Sequence, residues 1–189
     1  MSLSLARVWD PWVRFVHWSV ATLVFIDLLN EAGANAWHRY LGYAAGILVA
    51  GRIGWGFFSP HSARLASMVE SARQARRYLT SATAREYYAS YAGHNPLGAL
   101  MAFTLWVLVL LTVITGWAQQ LDALWGDESV QTMHAAAAYS LAVCAVVHVS
   151  GVLVTSVIQR TNLLKAMITG NKRRGSTSKH SASEEISNS

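Results

Sequence analysis

Four long runs of apolar residues, separated by polar segments, dominate the sequence of 189 residues. Residues 97–118 and 130–158 carry no Asp, Glu, Lys or Arg. A helix needs about 20 predominantly apolar residues to cross the hydrocarbon core of a bilayer. The pattern therefore predicts an all-α fold, a transmembrane four-helix bundle. Its spans are expected at about 13–30, 38–58, 97–118 and 130–158.

The first run is the shortest, and it contains His17 and Asp27, with Arg14 at its start. A secretory signal peptide is the alternative interpretation, but the run lacks a clear small-residue cleavage site. Tryptophans flank it, which is typical of a span that remains anchored at the membrane interface. They are Trp9, Trp12 and Trp18.

Charged residues are distributed unequally among the segments outside the runs. Segment 59–96 contains five arginines against two glutamates, and the C-terminal tail is also basic. The segments after the first and third runs are acidic. Because basic loops are retained in the cytoplasm, we predict that both termini and the loop 59–96 are cytoplasmic. The chain is expected to be a multi-pass protein of a bacterial inner membrane, with lipid as a partner and a disordered cytoplasmic tail at 171–189.

Part of the loop 59–96 has apolar residues at helical spacing with arginines between them. This spacing predicts a short amphipathic helix that lies on the inner membrane surface. The alternative is a helix that binds a partner protein. The apolar positions are Leu65, Met68, Val69, Ala72, Ala75, Tyr78 and Leu79.

Composition agrees with a membrane protein, since 53% of the residues are hydrophobic and only 13% are charged. The net charge of +5 therefore reports membrane orientation, and no nucleic-acid partner is expected. The single Cys excludes an intramolecular disulfide, a Cys-ligated iron–sulfur cluster and the attachment motif of c-type haem. A metal or haem would have to be held mainly by the 7 histidines.

Four histidines, His17, His38, His134 and His148, lie in or at the ends of the predicted spans. The last two are 14 residues apart, so they share one side of span four at depths that differ by about 21 Å. His17 lies near the cytoplasmic start of span one, and depth pairs it with His148. By the same argument the periplasmic His38 pairs with His134, and each pair can supply both axial ligands of a b-type haem. The alternative for any single histidine is a structural hydrogen bond or a proton relay.

Small residues and one arginine adjoin these histidines. Alanines occupy 135–138, and Gly42 and Gly46 follow His38 on the same helical side, which leaves room for a flat macrocycle. Small residues also pack bare helices together, so this observation adds little by itself. Arg52 lies near the expected depth of the inner pair and is predicted to neutralise a haem propionate. The alternative is an arginine that snorkels to the interface.

Several short motifs stand out between Val8 and Arg174. They are Val8-Trp9-Asp10 with Arg14 and His17-Trp18, then His38-Arg39-Tyr40-Leu41-Gly42-Tyr43, then Arg52 with Trp55-Gly56-Phe57-Phe58 and Pro60-His61, then Gly93-His94-Asn95-Pro96-Leu97-Gly98, the His134 and His148 pair, and Asn162-Leu163 with Ala166-Met167-Ile168-Thr169-Gly170. Together they resemble the bacterial cytochrome b561 family, which includes the b-type cytochrome subunit of nickel-iron hydrogenases. The resemblance implies a four-helix di-haem membrane cytochrome domain over 8–170, with haem ligands from spans one, two and four.

The resemblance also implies a quinone pocket beside the haem nearer the cytoplasm, at the turn into span three. The matching residues are His94, Asn95 and Gly98. His94 and Asn95 can hydrogen-bond quinone carbonyls or carry a proton. The alternative is a turn and cap ahead of Pro96, and the two interpretations are compatible.

The sequence thus predicts an integral membrane di-haem cytochrome b that transfers electrons between a quinone pool and a periplasmic redox partner, either a soluble cytochrome or a hydrogenase-type subunit. Its cofactors are two haem b, quinone is a substrate or bound ligand, and no side chain is assigned a catalytic role. Whether the chain is itself an enzyme is left open, as are its oligomeric state and the direction of electron flow. The alternative is a superoxide:quinone oxidoreductase that reacts at the periplasmic haem, with Arg39 to steer the anion. A haem-free transporter is disfavoured because no paired helices are broken by Gly or Pro.

Overall fold

The computed structural model describes residues 5–7, 10–30, 35–58, 65–74, 96–158 and 162–173. Within these residues the fold is helical, with one short pair of strands. The helices are α1 Pro11–Leu28, α2 Ala36–Phe58, α3 Leu65–Arg73, α4 Pro96–Ala118, α5 Glu128–Ile158 and α6 Leu163–Thr169, and a 3₁₀ turn covers Asp122–Leu124. The strands are β1 Leu5–Arg7 and β2 Asn171–Arg173.

Three helices of the described chain, α2, α4 and α5, are long and apolar enough to cross a membrane. They correspond to the predicted spans at 38–58, 97–118 and 130–158. Helix α1 falls in the region predicted as 13–30 but is not among them. It has 18 residues, or about 27 Å, and it includes Arg14, His17 and Asp27, which lower its mean hydropathy. That α1 spans the membrane stays a prediction.

Polar side chains cap the helix starts that position the bundle. Asp10 precedes the first helical residue, Pro11, and its side chain accepts hydrogen bonds from the backbone N–H groups of Trp12 and Val13. The missing N–H of Pro11 costs nothing at a first helical position. The side chain of Asp127 accepts hydrogen bonds from the backbone N–H groups of Ser129 and Val130 and so caps the start of α5. These caps fix where α1 and α5 begin, whereas the apolar residues of each helix favour the helix itself.

Helices α1 and α2, α2 and α4, and α4 and α5 pack side by side with close backbone approach. The pairs α1 and α5, and α2 and α5, are not among the closely approaching helices of the described chain. One cluster of four buried side chains lies at the middle of the helices: Ala45 and Val49 from α2, Val109 from α4 and Leu141 from α5. Because lipid is as apolar as these side chains, this cluster is held mainly by van der Waals packing.

Helix α3 lies where the sequence predicts a short amphipathic helix, and it packs against α4 and α2. That it also lies on the inner membrane surface stays a prediction. Met68 on its inner face is 3% exposed. A Cβ atom at Gly56 of α2 would lie 3.2 Å from the Cβ of Leu65, so the glycine permits the close approach of α3. The remaining predicted positions, Ala75, Tyr78 and Leu79, lie outside the described residues.

The two ends of the described chain meet on one side of the bundle. β1 and β2 pair antiparallel, with Leu5 opposite Arg173. The Nη1 of Arg14 donates a 2.6 Å hydrogen bond to the carbonyl of Ile168 near the end of α6. Asn171–Arg173, which composition placed in the disordered tail 171–189, therefore form a strand, and residues 174–189 lie outside the described part.

Candidate functional site

The four histidines of the predicted spans lie in two pairs. His134 and His148 project from α5, and their ring partners come from two different helices. His17 of α1 faces His148 with 6.3 Å between ring centroids and 58° between ring planes. His38, in the first turn of α2, faces His134 at 6.0 Å and 87°. These are the pairs that depth along the spans predicts.

The separation within each pair matches the space needed by one metal ion with an imidazole on either side. A metal–imidazole nitrogen bond is about 2 Å long, and the ring centre lies roughly 1 Å behind that nitrogen, so the centroids should be roughly 6 Å apart. The observed values are 6.3 Å and 6.0 Å. The described residues contain no group of three or more His, Cys, Asp or Glu that could hold a bare metal ion. Two protein ligands per metal suit a group that brings four equatorial ligands of its own, as haem does.

A flat macrocycle also needs space between the two helices that carry its ligands. Each histidine pair joins α5 to a helix whose backbone it does not closely approach, α1 in one case and α2 in the other. Of the described α5 residues, Ala137 and Leu141 are the buried ones. They follow His134 by one and two helical turns, so the histidine face of α5 is the face turned toward the bundle. The residues present therefore fit haem between the paired imidazoles.

Hydrogen bonds fix the orientation of His38. Its Nδ1 lies 2.9 Å from Oδ1 of Asp27, in the last turn of α1. Because a carboxylate accepts hydrogen bonds, Nδ1 carries the proton, and Nε2 of the neutral ring keeps its lone pair. Asn35 accepts from the backbone N–H of His38 at 2.9 Å and so fixes the start of α2. A histidine that donates its second ring N–H to a carboxylate is typical of metal ligands.

Helix α4 holds His134 in the same way, although it contributes no histidine. The Nδ1 of His134 donates to the backbone carbonyl of Thr112 at 3.0 Å and lies 3.2 Å from the Oγ1 of Thr115. Gly116 provides the space, because a Cβ at this position would lie 3.0 Å from the Cε1 of His134. Thr115 is buried, and its hydroxyl donates back to carbonyls of its own helix. Again the Nε2 of the ligand candidate is left with a free lone pair.

The pair of His17 and His148 is less constrained. The Nδ1 of His17 is buried and has no hydrogen-bond partner among the described residues. A buried polar atom without a partner costs about 1–3 kcal/mol, so the described residues hold this ring less favourably than those around His38 and His134 hold theirs. Trp18 contacts the His17 ring edge-on, with 5.4 Å between centroids.

Arg52 lies buried within the bundle at 4% exposure. Its guanidinium lies 5.3 Å from the centroid of the Trp106 ring, and its Nη2 donates to the Sδ of Met68 at 3.6 Å. A charged residue inside a membrane bundle is costly and marks functional sites by default. Its predicted contact with a haem propionate stays a prediction.

The predicted quinone residues are only partly described. Gly98 is exposed in the first turn of α4, the helix against which α3 packs. His94 and Asn95 lie outside the described residues. Arg39, proposed to steer an anion, is exposed in the first turn of α2.

Sequence reasoning did not identify the residues that support the histidines. The sequence places Asp27 within the first apolar run but suggests no role for it, and it suggests no role for α4 in ligand placement. Two signals point to these positions: a carboxylate within an apolar run, and a glycine preceded by two threonines in an uncharged helix.

Comparison with known proteins shows two kinds of similarity. The profile of the family described as Prokaryotic cytochrome b561 matches residues 8–170. The chain is 28% identical to a protein of Azotobacter vinelandii named Probable Ni/Fe-hydrogenase B-type cytochrome subunit, and the match covers 86% of each chain. It is also 28% identical, over 86% of each chain, to a protein of the same name from Azotobacter chroococcum mcd 1. No solved structure matches.

Proposed function

Because the chain belongs to the prokaryotic cytochrome b561 family, a family of membrane cytochromes b, we propose that it is a four-span, di-haem electron carrier. In this proposal His17 and His148 are the axial ligands of one haem b, and His38 and His134 are those of the other. The observation that carries the proposal is the pairing of four histidines from the predicted spans, with ring centroids 6.3 Å and 6.0 Å apart and two of the four on one helix.

Two imidazoles per iron leave no open coordination position, which suits electron transfer rather than reaction with oxygen. When bound, haem supplies the one-electron chemistry, and the protein supplies ligands, fixed spacing and a low dielectric. The cluster of Ala45, Val49, Val109 and Leu141 lies between the two levels and excludes water there. Helix α5 fixes the separation, since its two histidines are about 21 Å apart along the axis.

The charge pattern assigns the two sites to opposite sides of a bacterial inner membrane. The basic loop 59–96 and both termini are placed in the cytoplasm, which puts the His17–His148 pair near the cytoplasm and the His38–His134 pair near the periplasm. We propose a quinone site on the cytoplasmic side, with His94, Asn95 and Gly98 as contacts. The relatives are named as hydrogenase cytochrome subunits, which supports a hydrogenase-type redox partner at the periplasmic side.

The haem content of the purified protein tests the ligand assignment. The wild-type protein should contain two haem b per chain with reduced bands of low-spin b-type cytochromes. His134→Ala and His148→Ala should each retain one haem, because each removes one axial ligand from a different site. Met133→Ala, an exposed neighbour of His134, is the matched control and should retain two. A colourless wild-type protein, or two haems in both histidine variants, would refute the proposal.

Electron transfer is tested in a second step on the same preparation. Addition of a reduced quinone analogue should reduce both haems, and substitution of Gly98 by Val should slow this step while the haem content stays at two. Haem reduction that does not respond to any quinone would remove quinone from the proposal.

A further inference from the structure

We infer that Asp27 is a positioning residue that lowers the midpoint potential at the His38–His134 pair below that at the His17–His148 pair. The inference rests on the proposed function, because it assumes that both pairs hold haem. It extends that function by giving the electron path a direction, from the His38–His134 pair toward the His17–His148 pair.

The geometry identifies Asp27 as a dedicated partner of His38. It lies within α1, one residue before the helix ends, and its Oδ1 accepts from the Nδ1 of His38 at 2.9 Å. Both side chains are largely shielded, with 20% exposure for Asp27 and 32% for His38. Asn30 and Asn35 exchange side-chain hydrogen bonds across the connection between α1 and α2, and this clamp holds the two partners in register.

A carboxylate that accepts the Nδ1 proton makes the imidazole a stronger electron donor at Nε2. Stronger donation stabilises the ferric state, which carries one more positive charge than the ferrous state, and so it lowers the midpoint potential. The negative charge of Asp27 acts in the same direction, since it too favours the more positive form.

The other pair lacks these features in the described part of the chain. The Nδ1 of His17 has no hydrogen-bond partner there, and no described carboxylate forms an ion pair with His17 or His148. The two sites therefore differ in donor strength although all four ligands are histidines. Electrons that arrive at the His38–His134 pair then move to a site of higher potential.

A redox titration of the holoprotein with Asp27→Asn tests the inference. Asn preserves the shape of Asp27 and removes the charge. The component of lower potential should rise, with its ratio of reduced to oxidised haem at fixed ambient potential increasing at least tenfold, which corresponds to about 59 mV for one electron. The other component should stay unchanged. His148→Ala identifies the shifting component, since this variant is expected to retain only the haem of the His38–His134 pair.

Two further variants separate the charge from structural effects. Asp122→Asn makes the same chemical change at an exposed residue of the turn after α4 and should shift neither component. Asp27→Glu retains a carboxylate and should shift the lower potential less than Asp27→Asn does. Because a midpoint potential does not depend on occupancy, it is measurable even where a variant retains only part of its haem.

The outcomes distinguish the inference from the function on which it rests. Two haems per wild-type chain with unchanged potentials in Asp27→Asn, or equal shifts in Asp27→Asn and Asp27→Glu, would overturn the role of Asp27 and leave the di-haem function standing. A wild-type protein without haem would overturn the di-haem function itself.

Discussion

Replacement of Gly116 by alanine should selectively weaken haem binding at the His38–His134 pair. A Cβ at Gly116 would lie 3.0 Å from the Cε1 of His134 and 3.3 Å from its Nδ1. Carbon atoms in van der Waals contact are normally about 3.5–4.0 Å apart, so the ring must move by roughly 0.5 Å or more. That displacement stretches the 3.0 Å hydrogen bond from Nδ1 to the carbonyl of Thr112 to the limit of a useful bond.

The magnitude of the effect follows from three contributions. Overpacking of a filled site costs about 1–3 kcal/mol, and loss of one hydrogen bond adds about 0.5–1.5 kcal/mol. Alanine in place of glycine favours the helix by about 1 kcal/mol, which offsets part of the cost. The net loss of about 0.5–3.5 kcal/mol corresponds to roughly 2- to 400-fold weaker retention of haem at this pair.

Haem retention is measured by incubating the detergent-solubilised protein with a haem-scavenging apoprotein and following the b-type absorption. Gly116→Ala should lose one of two haems faster than the wild type, while the haem at His17 and His148 stays. Gly51→Ala is the control, because a Cβ at this exposed position of α2 meets nothing within 4 Å. Equal retention in Gly116→Ala and Gly51→Ala would show that α4 does not hold His134 in its binding position.

Two other predictions follow from side-chain geometry. The ring planes of His38 and His134 are 87° apart and those of His17 and His148 are 58° apart, so the ferric protein should give two low-spin electron paramagnetic resonance signals. Near-perpendicular imidazoles leave two iron d orbitals nearly equal in energy, which gives the greater g anisotropy. The signal with the greater g anisotropy should therefore disappear in His134→Ala. A single signal for both haems would contradict this assignment. Arg14→Met should remove the 2.6 Å hydrogen bond to the carbonyl of Ile168 and speed amide hydrogen exchange over α6 by roughly 10-fold. A hydrogen bond to a charged group contributes about 1.5–3 kcal/mol, and solvent screening reduces this value at an exposed site. Arg39→Met, at an exposed arginine of α2, is its control, and equal exchange in the two variants would show that Arg14 does not hold α6.

The long helices could be predicted closely from the sequence because local signals define them. The span predicted at 97–118 is observed at Pro96–Ala118, and the span predicted at 130–158 at Glu128–Ile158. A proline and an aspartate cap mark those starts in the sequence itself. The position of α3 could not be predicted in this way, because its packing depends on the contact between Gly56 and Leu65, which belong to different helices.

The ligand candidates were accessible to sequence reasoning because depth along a helix is proportional to residue number. Their supports were not, since a hydrogen bond depends on which helices are neighbours and how each is rotated. The bond of Asp27 to His38 joins α1 to α2, and that of His134 to Thr112 joins α5 to α4. Residue number does not determine either arrangement.

Helix α5 illustrates why the histidines also determine the shape of the bundle. Its backbone approaches α4 closely, but α1 and α2 reach it mainly through paired rings. Only two of its described residues are buried, so direct side-chain packing alone holds this helix weakly against α1 and α2. If haem occupies the proposed sites, coordination replaces that packing, and the free energy of haem binding becomes part of the stability of the fold. The four histidines that ligate haem in the proposed function would then also hold α1 and α2 against α5. Large apolar side chains are therefore not needed around the histidines to keep these helices together.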